Sequence, residues 1–126
     1  MANNNALHLT GLVASADYST TGQFYAVKLA STDGQITVCS STLDVAIGIL
    51  QNDPASGQEA DVLVFGESMA YVGPSDVAIG DVLTSNTTGQ LEDTTTDNHV
   101  VIARALEASS ASGDLVQVLV LGPGRY

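Results

Sequence analysis

Tryptophan is absent, and aromatic residues make up only 5% of the chain. A core built around large rings is therefore excluded, and the interior must come from Val, Leu, Ile and Ala. Cations are almost as scarce. Lys28, Arg104 and Arg125 stand against 14 acids, a formal net charge of −11. Phosphate recognition needs clustered Lys and Arg, and there is no such cluster, so direct nucleic-acid binding is not expected. Anionic membrane surfaces are disfavoured for the same reason. No apolar run approaches the ~20 residues that cross a bilayer. Met1-Ala-Asn-Asn-Asn has neither a basic segment nor an apolar one, so a secretory signal is not expected and the chain should be made in a cytosol and stay soluble. The single cysteine, Cys39, excludes an intrachain disulfide. Ile36 and Val38 beside it suggest a strand, where a buried and inert thiol is the default.

What remains suffices for one folded domain. The 126 residues are 44% hydrophobic, enough for a real core. Charged residues are 13%, about half the usual ~25%, so Ser, Thr, Asn and Gln must supply much of the surface. The acidity reads as solubility, as a match to a partner with a basic surface, or as avoidance of nucleic acid nearby.

Strand patterns dominate. Leu7–Val13 alternates at its start. In Gln23–Ala30, Tyr25, Val27 and Leu29 share one face and Lys28 takes the other. Asp33-Gly34 is a tight-turn dipeptide, and Gln35–Ser40 reads as the return strand of a hairpin. Residues 44–50, 61–66, 67–72, 77–84, 90–92 and 115–121 read as further strands, with Gly66 as a bend or bulge between two of them. Residues 99–107 carry both helix-favouring Ala, Leu and Glu and the β-branched run Val100-Val-Ile102, which favours a strand. Asn52–Gly57, Asp93–Asn98 and Ala108–Gly113 are loops by composition, and Gly122-Pro-Gly-Arg-Tyr126 is expected to be unstructured. The expectation is an all-β domain over 7–126, a small β-barrel or sandwich of about 8–10 short strands, preceded by a polar N-terminal arm over 1–6.

Catalytic groupings are missing. His8 and His99 have no Cys or His at metal-ligand spacing. No serine sits in a Gly-x-Ser-x-Gly elbow. Asp53, Asp61 and Glu67 are conceivable as paired acids for sugar hydrolysis, but solvated acids are expected in so acidic a chain. Asp93-Thr-Thr-Thr-Asp97-Asn98 lacks the glycine and distal glutamate of a calcium loop. No catalytic, metal or cofactor residue is therefore expected, and the chain reads as a binding protein rather than an enzyme.

The order of elements from Ile47 to Leu121 resembles the bacteriophage capsid decoration, or cement, protein family. The residues that carry it are Ile47-Gly-Ile-Leu50, Ala55-Ser-Gly-Gln58, Asp61-Val-Leu-Val-Phe-Gly66 and Val77-Ala-Ile-Gly-Asp-Val-Leu83. Gly89-Gln-Leu91, Ile102-Ala-Arg-Ala-Leu-Glu-Ala108 and Gly113-Asp-Leu-Val-Gln-Val-Leu119 complete it. The resemblance implies a small β-barrel made in the host cytoplasm that assembles as a homotrimer on the outer surface of an icosahedral phage head. It implies the major capsid protein as partner and a role in bridging capsid subunits against internal DNA pressure, with no catalytic residue to carry over. The segment before Ile47 matches the family less well.

That segment nevertheless supplies the candidate capsid contacts: Asn3, Asn4, Asn5, Leu7, His8 and Leu9. An extended polar arm leading into Leu7-His-Leu9 suits addition of a strand to an exposed sheet edge, with Leu7 or Leu9 filling pockets. The alternative is that Leu7–Val13 simply begins the barrel. A second functional reading is a carbohydrate or host-surface binding module of a virion, for which only four tyrosines offer ring surfaces.

Overall fold

The computed structural model describes residues 6–126. Nine strands run in order: β1 (Leu7–Ala14), β2 (Ala26–Leu29), β3 (Gln35–Val38), β4 (Gly48–Leu50), β5 (Glu59–Tyr71), β6 (Val82–Ser85), β7 (Leu91–Asp93), β8 (Val100–Ala105) and β9 (Leu115–Arg125). There is no helix among the described residues. The all-β expectation holds.

The strands pair into two rings that share β5. In the first, β1 lies beside β3, β3 beside β2, β2 beside β4, β4 beside β5, and β5 beside β1 again. The β1–β3 pairing is parallel and the others are antiparallel. In the second, the later half of β5 pairs with β9, β9 with β8, β8 with β6, and β6 with β7. A single parallel bridge from Leu91 to Val72 ties β7 back to the end of β5. Closing a sheet on itself removes edges that would otherwise present unpaired N–H and C=O groups.

Sharing a strand between rings explains why several segments read as continuous apolar runs instead of alternating. Val27, Ile36, Leu50, Ala60 and Val62 form one buried cluster. Ala26, Ile49 and Leu63 join another with Leu83, Ile102, Val116, Val118 and Val120. Adjacent residues in a strand point to opposite faces. Each neighbouring pair, Ala26-Val27, Ile49-Leu50 and Val62-Leu63, therefore feeds both clusters, and at these positions neither face of the strand meets water.

β5 is one strand of 13 residues, not the two expected. Gly66 sits inside it at φ 124°, where an L side chain is strained. A Cβ there would also lie 3.0 Å from Ala6 Cα. This is the bend anticipated at Gly66, and it falls where β5 passes from one ring to the other.

Other boundaries moved. The turn at Asp33-Gly34 joins β2 and β3 as expected, with Lys28 opposite Thr37. Leu29, expected to share the inward face of Val27, is 60% exposed because β2 ends there. The strand expected from Val77 begins only at Val82, since Val77–Gly80 is used in a turn whose Ala78 N–H donates to Asp81 Oδ2. Val100–Ala105 is a strand, so the β-branched run outweighs the helix formers around it. Gly122–Arg125, expected to be unstructured, extends β9, with Val101 opposite Gly124 and Val100 opposite Arg125. The start of β8 offers its edge, and ladder hydrogen bonds offset the flexible composition. A register shift between Val101 and Ala103 lies across from Pro123, which has no N–H to give.

Candidate interaction surfaces

The first surface is the start of β1. Leu7 lies opposite Phe65, His8 opposite Leu63 and Leu9 opposite Val62 on β5. The pairing slips between Leu7 and His8 and again between Leu9 and Leu12. His8 Nδ1 is 2.6 Å from Asp61 Oδ1, an exposed contact that fixes the ring against β5. Leu7 and Leu9 are 60% and 41% exposed. On its other side β1 meets β3 only at Val13 and Ala14. Among the described residues the outer edge of Leu7–Leu12 is therefore unpaired. Asn3, Asn4 and Asn5 lie outside the described residues.

The second surface went unrecognised in the sequence. It is the outer face of β5, β9 and β8. Tyr71 lies opposite Leu115, Glu67 opposite Leu119, and Leu119 opposite Arg104. The pairing of Gly66 with Val120 sets Phe65 beside Leu121. Leu106 donates its N–H to the Gln117 carbonyl, which puts its side chain at the same level as Gln117. Phe65, Leu106, Leu115 and Leu121 are exposed, and Leu119 is half-buried among them. The sequence did carry a signal. In Leu115-Val-Gln-Val-Leu-Val-Leu121 both alternating sets are apolar apart from Gln117, yet only Val116, Val118 and Val120 are needed for the core.

A third feature is a shallow groove lined by Thr20, Thr21, Gly22, Gln23, Tyr25 and Tyr71. The Tyr25 and Tyr71 rings meet edge to face, with centroids 5.7 Å apart and planes at 68°. Phe24, in the same segment, is held at φ 66°, which is unusual for a bulky residue.

Reactive groups are tied into the structure. Cys39 is buried, and burial, reinforced by the Asp44 charge, pushes its thiol up to about 12. His99 Nδ1 is 2.8 Å from the Thr94 hydroxyl. Partial burial alone would raise the Asp44 carboxyl. The Ser40 N–H and the Lys28 ammonium 2.9 Å away outweigh it and hold Asp44 below the usual carboxylate range. Asp61 and Glu67 are six positions apart on one extended strand, ~20 Å, so they cannot act on one bond. Among the described residues no three His, Cys, Asp or Glu side chains gather to hold a metal ion.

Comparison with known proteins places this geometry. The family model of the XM1 gp53 minor capsid protein matches residues 3–120. The N base of head fiber gp8.5 from bacteriophage phi29, a crystal structure, superposes with a TM-score of 0.68 at 17% identity, covering 96% of this chain and 99% of that one. At that identity the likeness is one of fold. No curated protein matches the sequence.

Proposed function

This chain belongs to the XM1 gp53 minor capsid protein family and is a bacteriophage capsid-associated structural protein, and from that premise we propose that it decorates the outer surface of the phage head as a homotrimer. It bridges major capsid subunits and holds them together against the outward pressure of packaged DNA. It performs no catalysis. The observation that carries the reading is the family match across nearly the whole chain.

Physical features support it. The unpaired edge of Leu7–Leu12, with Leu7 and Leu9 exposed beside it, suits a strand added from or to a capsid sheet. Backbone hydrogen bonds then supply affinity and the two leucines supply pocket contacts. Asn3, Asn4 and Asn5 precede this edge in sequence and complete the proposed capsid contact with Leu7, His8 and Leu9. A trimer engages several capsid subunits at once, and each later contact forms at high effective concentration. The net charge of −11 keeps the protein off DNA and favours a basic capsid patch.

The test is binding of purified protein to heads that lack it. Saturable binding is expected, with a loss of at least ~10-fold in affinity for Leu7→Asp/Leu9→Asp, because two pocket-filling contacts become buried charges. Wild-type protein that leaves such heads bare refutes the decoration reading. The groove formed by Tyr25 and Tyr71 beside Thr20, Thr21 and Gln23 favours a second reading, a carbohydrate or host-surface contact. A blank glycan array removes it. Glycan binding that disappears in Tyr71→Ala establishes it.

A further inference from the structure

We propose that the outer face of β5, β9 and β8 is the contact between copies of this chain, with Glu67 of one copy meeting Arg104 of the next. This rests on the trimer reading above and assigns that trimer a surface.

Large apolar side chains are exposed elsewhere too, among them Leu29, Leu43, Val45 and Ile79, but on this face they gather on three adjacent strands. Phe65, Leu106, Leu115, Leu119 and Leu121 lie on it. It runs ~20 Å along β9 and spans three strands. Three strands ~4.8 Å apart make it ~10–15 Å wide, so it covers ~200–300 Å², at the lower end of the ~300–600 Å² reached by the largest apolar patch on a monomer. It can form the apolar centre of a contact whose polar rim supplies the rest of the ~800 Å² per partner of a stable protein contact.

Charge selects the occupant. A chain of net charge −11 repels its own copies unless they meet where acids are few. Within this face the charged side chains are Glu67 and Arg104, one of each sign, both across from Leu119. Glu107, at the margin, already accepts the Gln117 N–H. A basic capsid patch would instead be matched by one of the acidic surfaces elsewhere on the chain. Arg104 is one of only three cations, and it spends one N–H on the Gly80 carbonyl, 2.7 Å away. Neither Glu67 nor Arg104 has an oppositely charged partner among the described residues, where the ion pairs are His8–Asp61 and Lys28–Asp44. A head-to-tail contact, the kind that closes into a ring, brings the two together across the apolar strip.

The experiment is sedimentation velocity with native mass spectrometry on the full chain over a dilution series. It compares wild type, Glu67→Arg, Arg104→Glu and the double exchange. The wild type is expected to associate. Each single exchange sets like charges across the contact and raises the dissociation midpoint at least ~10-fold, and the double exchange restores it to within ~3-fold. Glu67→Arg lowers the net negative charge, so general self-repulsion would strengthen association in that variant, not weaken it. Both residues are exposed, and far-ultraviolet circular dichroism confirms that each variant folds. A wild type that associates while both single variants behave identically to it overturns this surface and leaves the trimer reading standing. Weakening in both singles without recovery in the double overturns the Glu67–Arg104 contact. A wild type that stays monomeric at every concentration overturns the trimer reading, and this contact with it.

Discussion

Gly48→Ala should open the first ring. Gly48 sits in β4 opposite Val27 on β2, and its other neighbour is β5. A Cβ added there would press into the Leu63 carbonyl oxygen, well inside van der Waals contact, and would lie 2.8 Å from Val62 Cγ1. The obstacle is backbone, so no rotamer change relieves it. Either β4 shifts away from β5 or the strand bends. Overpacking of this kind costs ~1–3 kcal/mol. Separating the strands loosens the Ile49–Leu63 and Leu50–Val62 pairings, at ~1 kcal/mol for each hydrogen bond weakened. The sum is ~3–5 kcal/mol. Unfolding entropy of ~2.1 cal/mol/K per residue makes each kcal/mol worth ~4 °C in a chain of this length, so Tm should fall by ~12–20 °C. Scanning calorimetry at matched protein concentration measures it, because association shifts Tm by mass action. Gly124→Ala is the control: nothing lies within 4 Å of its added Cβ, and it should stay within ~2 °C of wild type. If Gly48→Ala also stays within ~3 °C, the close packing of β4 on β5 is wrong and the ring argument fails with it.

Two further outcomes follow from buried and paired groups. Cys39 should resist thiol reagents in the native protein at pH 8 and react fully in urea, since its thiol is buried and pushed up to about 12. The folded value lies above the unfolded one near ~8.5, so this group's contribution to stability is complete below pH ~8.5 and is lost as pH rises towards 12. Urea midpoints at pH 8 and pH 10.5 should show a decline that Cys39→Ala lacks. Asp44, held below the usual range, carries the opposite sign: its contribution is present above pH ~4 and lost as pH falls through the lower folded value. Asp44→Asn should therefore cost about 1 kcal/mol at pH 7, where the pair to Lys28 and the bond from the Ser40 N–H are intact, and almost nothing at pH 2. An equal cost at both pH values would show that the carboxylate charge is not what matters.

Much of this fold could be read along the chain. The hairpin at Asp33-Gly34, the bend at Gly66 and the strand over Val100–Ala105 all follow from local chemistry. Errors fell where a distant partner overrides composition. Gly122–Arg125 looks like a tail until β8 offers it an edge. Leu29 looks like core until β2 stops beneath it. Of the proposed capsid contacts, Leu7, His8 and Leu9 stand out in the sequence because a polar arm meets an apolar strand there. Their placement on an edge unpaired over Leu7–Leu12 is a property of the pairing with β5 and β3. The apolar face of β5, β9 and β8 was missed because a strand apolar on both sides reads as a buried strand.

Composition and periodicity by themselves determined that this chain is all-β, that its interior is aliphatic, and that it carries no recognisable catalytic grouping. They act locally, through turn chemistry and the two-residue repeat of a strand. Only the tertiary structure decided that β5 serves two rings, and that Val116, Val118 and Val120 are covered while Leu115 and Leu121 face outward. Alternation says which residues share a face. Which face is covered depends on strands brought from elsewhere in the chain, and in β9 both faces were apolar enough to qualify.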